Sequence, residues 1–204
     1  MMKVYGVVAS RALRTMWMCE ELGVPYELVK TDVRTGATRT PEYLKLNPNG
    51  HVPTIDDDGF VLYESMAINL YLAQKFAGKG LWPADPKSQA LCYQWSFWGM
   101  MECEGLLLQA LQHRVLLPED RRNEDKALQA IENLQKPFKV IDTHLSGRAV
   151  LVGAQLTVAD INVAAILSWA RGAKIDLAAY PQLAAWLGSC TGRPSFKAAL
   201  KKGA

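Results

Sequence analysis

The sequence predicts a two-domain α+β protein, with a mixed first domain over residues 1–77 and an all-helical second domain over residues 87–204. The first domain shows a strand, turn, helix and strand that are followed by a hairpin and a helix, the pattern of a βαβ-ββα unit. Residues 78–86 contain two glycines and two prolines, a composition typical of a linker. No convincing strand pattern follows this linker, which predicts a helical bundle.

The first strand and helix are indicated by a change of residue period. Residues 3–8 are rich in β-forming residues, whereas residues 10–22 carry apolar side chains at helical spacing and end before Gly23, a residue that terminates helices. Residues 26–30 alternate again and predict the second strand of a βαβ unit.

A polar loop over residues 31–40 leads into a short helix at 41–46, which has proline in its first turn. Residues 47–63 then contain two short β-rich runs that are joined by an acidic turn with Gly59, so we expect a hairpin. The third helix is predicted at residues 64–77.

The second domain begins with a long helix, predicted at residues 87–116, that is apolar nearly all round. Such a helix is expected to lie centrally and to be buried on several sides, by its own domain, by the first domain or by a partner subunit. Thr157 and Asp160 have the spacing of a helix capping box. Further helices are predicted at residues 123–145, 181–190 and 194–202.

Composition excludes several classes of function. The 204 residues are 50% hydrophobic with a net charge of +3, and the basic residues are dispersed, which does not favour nucleic-acid binding. No apolar run approaches the roughly 20 residues of a membrane helix, and residues 1–5 do not resemble a signal peptide. We therefore expect a cytoplasmic protein with no membrane partner.

Cysteine and histidine spacing gives no indication of a metal site. The sequence has no Cys-x-x-Cys pair, and its cysteines do not cluster with its three histidines, so neither structural zinc nor a dithiol centre is expected. Reduced thiols that pack as small apolar groups are the simpler interpretation.

The stretch over residues 47–68 suits a small zwitterionic peptide. A cis bond before Pro53 would turn the backbone N–H and C=O of Val52 outward, where an extended peptide can pair with them. The N–H groups of the next helix start and the Ser65 hydroxyl suit a carboxylate, while Glu64 suits an ammonium group. An ordinary hairpin with a capped helix remains the alternative for each feature alone.

An ordered set of motifs spans nearly the whole chain: Ala-Ser-Arg at 9–11, Asn-Pro-Asn-Gly-His-Val-Pro at 47–53, Glu-Ser-Met-Ala-Ile at 64–68 and Leu-Thr-Val-Ala-Asp at 156–160. In this set the sequence resembles the cytosolic glutathione transferases, most closely the serine-dependent theta- and phi-like groups and their bacterial relatives. The resemblance implies a thioredoxin-like first domain, an all-helical second domain and a homodimer that uses glutathione as co-substrate.

The resemblance also assigns glutathione-binding residues. Pro53 matches the family's cis-proline, and the backbone of Val52 is implied to pair with the cysteinyl unit. Glu64 and Ser65 match the pair that holds the γ-glutamyl end. Arg39 matches a position that is often basic and near the glycine carboxylate.

The remaining assignments that the resemblance implies concern His51 and the catalytic position. His51 stands among the binding residues where the family often has glutamine. Ser10 matches the catalytic position and is implied to donate a hydrogen bond to the glutathione sulfur, with Arg11 and Arg14 adding positive potential nearby. From local sequence alone, a plain helix cap is an equal interpretation of Ser10.

The expected activity is attack of the glutathione thiolate on a small hydrophobic electrophile, held between the Ser10 loop and the first helix of the second domain. Arg11, Trp98, Met101 and His113 are the candidate second-substrate residues. A glutathione-dependent peroxidase or isomerase, and a non-catalytic partner-binding module, are the alternatives. Because serine rather than cysteine occupies position 10, exchange through a mixed disulfide is not favoured.

Overall fold

The computed structural model describes residues 1–202, which form two compact units. One unit combines Met1–Pro83 with the chain from Gly192 onward, and the other is Ala84–Thr191. The predicted division placed everything after residue 86 in the second domain. The difference is confined to the last helix, which packs in the first unit.

The first unit is a four-stranded mixed sheet with the strand order β2-β1-β3-β4. β1 pairs parallel with β2 and antiparallel with β3, and β3 and β4 form an antiparallel hairpin. This is the thioredoxin-like arrangement that was expected. Its elements are β1 (Lys3–Gly6), α1 (Ala12–Leu22), β2 (Glu27–Lys30), α2 (Pro41–Leu46), β3 (Thr54–Asp57), β4 (Phe60–Tyr63) and α3 (Ser65–Lys75).

Sequence signals explain where these elements end. Gly23 takes a left-handed conformation at φ 61° and caps the end of α1. The Thr40 hydroxyl accepts a hydrogen bond from the Tyr43 N–H at the start of α2. The core between sheet and helices is formed by fully buried side chains, among them Val4, Trp17, Ile55, Ile68 and Leu72.

The second unit is helical throughout its described elements. A continuous helical path from Pro86 to Leu116 contains α4 (Pro86–Trp98) and α5 (Gly105–Leu111), and π-helical turns at Gly99–Glu104 and Gln112–Leu116 follow them. The remaining helices are α6 (Glu124–His144), α7 (Val158–Leu167), α8 (Trp169–Gly172) and α9 (Pro181–Gly192).

The long helix is less buried in the single chain than its composition indicated. Tyr93, Phe97 and Met101, which follow one another at intervals of four residues, are 39%, 59% and 81% exposed. Only the opposite side of this helix is in the core, where Trp95 packs against the rings of Trp98 and His144.

The capping box predicted at the start of α7 is present. Asp160 is fully buried and accepts hydrogen bonds from the N–H groups of Thr157 and Leu151 and from the Trp186 indole, at 2.8–3.0 Å. Burial raises the pKa of the Asp160 carboxyl, although these hydrogen bonds oppose the shift. The carboxylate therefore joins the start of α7 to the preceding loop and to α9.

The last helix, α10 (Pro194–Lys201), packs on α1. The rings of Trp17 and Phe196 meet edge to face at 4.7 Å, and the Trp17 indole donates to Ser195 Oγ at 3.1 Å. Arg193 and Ser195 both bond to the Glu21 carboxylate. These contacts are local to one unit, which explains why the chain from Gly192 onward belongs with the sheet.

All four cysteines are buried thiols. Over residues 1–202, no group of three or more histidine, cysteine or acidic side chains is arranged to hold a metal ion. Within the same residues, no helix combines the length and apolar character needed to cross a membrane.

Candidate functional site

Ser10 lies in the turn between β1 and α1, and its side chain is half-buried. The Ser10 hydroxyl donates to the Val7 carbonyl at 2.6 Å and accepts from the Ala12 N–H at 3.1 Å. The hydroxyl thus bonds within the turn before α1, whereas the cap position of that helix is the next residue, Arg11. To donate to any other group, it must give up the bond to Val7.

Gly6 brings this turn against the loop that precedes Pro53. A β-carbon at Gly6, whose φ is 153°, would lie 2.3 Å from the Ala12 Cβ and 3.6 Å from the Val52 Cβ. The first turn of α1 and the Val52 loop therefore pack on either side of a position that only glycine can occupy.

The Val52–Pro53 peptide bond is cis, as predicted. It directly precedes β3, and both residues are buried. Among residues 1–202, no hydrogen bond to the N–H or C=O of Val52 is present. Its backbone is therefore available to an extended ligand, the role that the sequence pattern suggested.

Side chains from α2 hold this loop in place, a support that the sequence analysis did not identify. The His51 carbonyl accepts from the Tyr43 hydroxyl at 2.7 Å and from the Asn47 side-chain amide at 3.0 Å. Burial raises the pKa of Tyr43, so this hydroxyl remains a donor. Asn47 also accepts from the Asn49 N–H at 3.0 Å, an Asx turn that the Asn-Pro-Asn-Gly pattern indicates.

His51 in this loop and Arg39 in the short 3₁₀ turn before α2 are both exposed. The Arg39 guanidinium donates to the Asn49 carbonyl at 3.3 Å. It also lies over Gly50, where a β-carbon would be 2.7 Å from its Nη1 and where φ is 62°. Arg39 therefore remains close to His51, whose side chain points to solvent.

Glu64 and Ser65 form the start of α3 and differ in their surroundings. Glu64 is exposed, has a φ of 73°, which is rare for a residue with a β-carbon, and makes no capping bond through its side chain. Ser65 is only 4% exposed, and its Oγ accepts from the Arg14 guanidinium at 3.3 Å. Because Arg14 lies one turn after Ser10 on α1, the two ends of the predicted site are linked through this helix.

The predicted glutathione-binding residues all belong to the first unit. The arrangement provides an unpaired backbone edge at Val52, a carboxylate at Glu64, a buried hydroxyl at Ser65 and a cation at Arg39. These groups are complementary to a peptide that carries an ammonium group and two carboxylates.

The candidate second-substrate residues are distributed differently. Arg11 is half-buried next to Ser10, whereas Trp98, Met101 and His113 belong to the helical unit. Trp98 immediately precedes the first π-helical turn, Met101 lies within it, and His113 lies in the second. π-Helical turns often occur at functional sites, and the assignment of these three positions to a second substrate stays a prediction.

His113 has charged neighbours. It lines a cavity of about 630 Å³ in the helical unit, and the other lining residues are Arg114, Arg122, Glu124 and Lys174. Arg114 is held by the Glu124 carboxylate and by the Ala173 carbonyl, at 2.5 and 2.9 Å. This lining does not favour a hydrophobic ligand at His113.

The chain matches the family models for the glutathione S-transferase N-terminal domain over residues 1–74 and C-terminal domain over residues 101–194. Glutathione S-transferase D7 of Drosophila melanogaster is 32% identical over 182 residues, which cover 88% of this chain and 78% of that protein. Glutathione S-transferase 3 of Zea mays is 33% identical over 211 residues, which cover 96% of this chain and 91% of that protein.

A solved structure extends this similarity to three dimensions. The theta class glutathione S-transferase of Xanthomonas axonopodis pv. citri, solved with glutathione bound, is 28% identical and superposes with a TM-score of 0.91. The match covers 98% of this chain and 96% of that one. With both family models, relatives above 30% identity and the shared fold, this chain belongs to the glutathione S-transferase family.

Proposed function

We propose that this glutathione transferase binds glutathione along the edge formed by Val52 and α3 and that Ser10 stabilises its thiolate. The observation that carries the proposal is the packing of the first turns of α1. Ala12, at the start of that helix, and Val52 lie on either side of Gly6, and Arg14 in its first turn donates to Ser65; Ser10 directly precedes this turn. A single helix start thus links a backbone edge, a carboxylate site and a candidate hydrogen-bond donor.

Each part of glutathione has a complementary group in this proposal. The cysteinyl unit pairs with the Val52 backbone, and the γ-glutamyl end meets Glu64 with its ammonium group and Ser65 with its carboxylate. The glycine carboxylate lies toward Arg39 and His51, which are both exposed. In this proposal the sulfur meets the Ser10 hydroxyl.

The structure changes the energetics expected for Ser10. A free thiol has a pKa of about 8.5, and a shift of one unit corresponds to about 1.4 kcal/mol. A hydrogen bond to an anion contributes about 1.5–3 kcal/mol, but the bond to Val7 that Ser10 must release is worth about 1 kcal/mol. Proximity to a helix start adds roughly 0.3–1 kcal/mol. The balance is about 2 kcal/mol, which gives a bound thiol pKa of about 7 without a general base.

The thiolate formed in this way attacks a small hydrophobic electrophile and forms a new bond to carbon, and the electrophile supplies the leaving group or accepts a proton. The assignment of Arg11, Trp98, Met101 and His113 to the electrophile stays a prediction. Met101 is the most exposed of these side chains, and Trp98 has a half-buried aromatic ring. Both suit an apolar ligand better than His113 does.

The proposal includes a homodimer in the cytoplasm. The exposed aromatic side chains of Tyr93 and Phe97, one turn apart, form one stripe on α4, and exposed apolar surface of this kind usually contacts a partner. We assign this stripe to a second copy of the chain. Buried reduced cysteines fit a reducing compartment. Light scattering of Phe97→Asp tests the interface, and an unchanged dimer mass would refute this assignment.

The binding part is tested by titrating glutathione into wild type, Ser10→Ala and Ser65→Ala while conjugation of a generic aromatic halide is measured. Ser10→Ala should bind glutathione within about threefold of wild type but conjugate it more slowly, because the anion-stabilising bond is lost. Ser65→Ala should weaken binding. A wild-type chain that does not bind glutathione would refute both the transferase and the peroxidase interpretations.

A further inference from the structure

Arg14 is an unusual neighbour for a binding-site serine. Its side chain is only 1% exposed, although arginine is rarely buried without a specific role. Its Nη1 donates to Ser65 Oγ at 3.3 Å, and its backbone carbonyl accepts from the Asn69 side-chain amide at 3.2 Å. Ser65 and Asn69 are one turn apart on α3, so two successive turns of that helix hold the same residue of α1.

The direction of the hydrogen bond decides what Ser65 can do. A hydroxyl group has one hydrogen to donate and two lone pairs to accept with, whereas a guanidinium group can only donate. Ser65 is therefore the acceptor from Arg14, and its own hydrogen is not used in that contact. Arg14 also favours a negatively charged partner on the other side of the hydroxyl, because hydrogen bonds in a chain polarise one another.

Other serines in helices use their hydrogen on the backbone. The Ser96 hydroxyl donates to the Cys92 carbonyl at 2.7 Å, and Ser168 donates to the Ala165 carbonyl at 2.8 Å. Ser65 is the first residue of α3, so the helix offers no carbonyl one turn earlier. Within residues 1–202, no acceptor receives its hydroxyl hydrogen, although the side chain is buried.

We propose that Arg14 is a positioning residue that keeps the Ser65 hydroxyl oriented as a donor, so that the site selects a ligand carboxylate at the start of α3. This inference rests on the proposed glutathione site and adds to it the source of selectivity for the charged γ-glutamyl end. The Asn69 amide holds the backbone carbonyl of Arg14. Arg14 in turn makes the Ser65 hydroxyl an acceptor on one side, which leaves its hydrogen for a ligand on the other. A ligand without that carboxylate gains nothing from the arrangement.

The test compares two ligands in three proteins. Dissociation constants are measured for glutathione and for γ-aminobutyryl-cysteinyl-glycine, which lacks only the α-carboxylate, in wild type, Arg14→Met and Arg14→Lys. Wild type should prefer glutathione by about tenfold or more, the effect of one hydrogen bond to a charged group. Arg14→Met should bind the analogue within about twofold of wild type and lose most of the preference, and Arg14→Lys should recover part of it.

Equal weakening of both ligands in Arg14→Met, with the preference unchanged, would overturn the inference, because a purely structural role predicts that outcome. If Arg14→Met does not fold, Arg14→Gln decides, because its amide can accept from Ser65 as well as donate to it: the inference requires a smaller preference in that variant, and an unchanged preference overturns it. A wild-type chain that binds neither ligand instead contradicts the proposed function. The two failures are therefore distinguishable.

Discussion

Replacing Glu64 with glycine should make the protein more stable and its glutathione site weaker. Glu64 has a φ of 73° and a ψ of 112°, and the surrounding structure holds it there, because its carbonyl accepts from the Ile68 N–H at 2.9 Å in the first turn of α3. A residue with a β-carbon in such a conformation costs about 1–3 kcal/mol and is typical of binding sites. Glycine removes that cost.

The expected gain can be estimated from two opposing terms. Relief of backbone strain raises the free energy of unfolding by about 2 kcal/mol. The greater freedom of glycine in the unfolded chain lowers it by about 0.5–1 kcal/mol. The net increase in unfolding free energy is about 1 kcal/mol, or about 2–4 °C in melting temperature for a chain of this length. Glu64 makes no capping bond through its side chain, so no folded-state contact offsets this gain.

Glu64→Ala is the matched control, since it removes the same carboxylate but keeps a β-carbon. Urea unfolding should show Glu64→Gly to be more stable than Glu64→Ala by about 1 kcal/mol or more. Both variants should weaken glutathione binding to a similar extent, about tenfold, through the lost contact with the ammonium group. If the glycine variant is no more stable than the alanine variant, the conformation of Glu64 is not strained and the reasoning is refuted.

Three further predictions concern packing and charge. Gly6→Ala should destabilise the protein by about 1–3 kcal/mol and weaken glutathione binding, because its β-carbon must displace Ala12; urea unfolding with wild-type stability would contradict this. Burial raises the pKa of Glu21, but hydrogen bonds from Arg193 and a neighbouring hydroxyl outweigh it and leave the pKa below its usual value. The free energy of unfolding that the Glu21 contact contributes should be fully present above the usual glutamate pKa and should be lost as the pH falls through the lowered pKa. In pH-dependent unfolding, Glu21→Gln should therefore lose less free energy of unfolding at acid pH than wild type does. Asp160→Ala should lower the unfolding free energy by about 3 kcal/mol or more, since three buried N–H groups lose their acceptor; a calorimetric loss below about 1 kcal/mol would contradict it.

Local signals in the sequence were sufficient to predict most of the first unit. Gly23, the proline at the start of α2 and the acidic hairpin turn each determine the conformation of a few residues, and the structure has them as predicted. The capping box of α7 was predicted from the spacing of Thr157 and Asp160, whereas the cis bond before Pro53 was expected from the resemblance to the family.

Features that depend on distant residues were not predictable in this way. The π-helical turns at Gly99–Glu104 and Gln112–Leu116 leave no signature in hydrophobic periodicity. The position of α10 depends on the contact between Trp17 and Phe196, which are far apart in the chain. The exposed stripe around Phe97 could not be told from core by composition, since apolar residues alone do not specify what covers them.

In the candidate site, too, local motifs predicted some features and missed others. Motifs identified the loop before Pro53 and the start of α3, but they did not reveal that Tyr43 supports the loop or that the Ser10 hydroxyl is bonded to Val7. The latter contact matters most for mechanism. It lowers the stabilisation that Ser10 can offer to a thiolate, and so moves the expected pKa of bound glutathione closer to neutrality.

The most direct test of the proposed mechanism is a pH titration of the thiolate absorbance of bound glutathione in wild type and Ser10→Ala. We predict a bound thiol pKa of about 7 in wild type and about one unit higher in Ser10→Ala, because the exchange of the Val7 bond for a bond to sulfur is worth about 1.3 kcal/mol. If the thiol of bound glutathione has the same pKa in both saturated proteins, that result would contradict a role for Ser10 in activating the thiol.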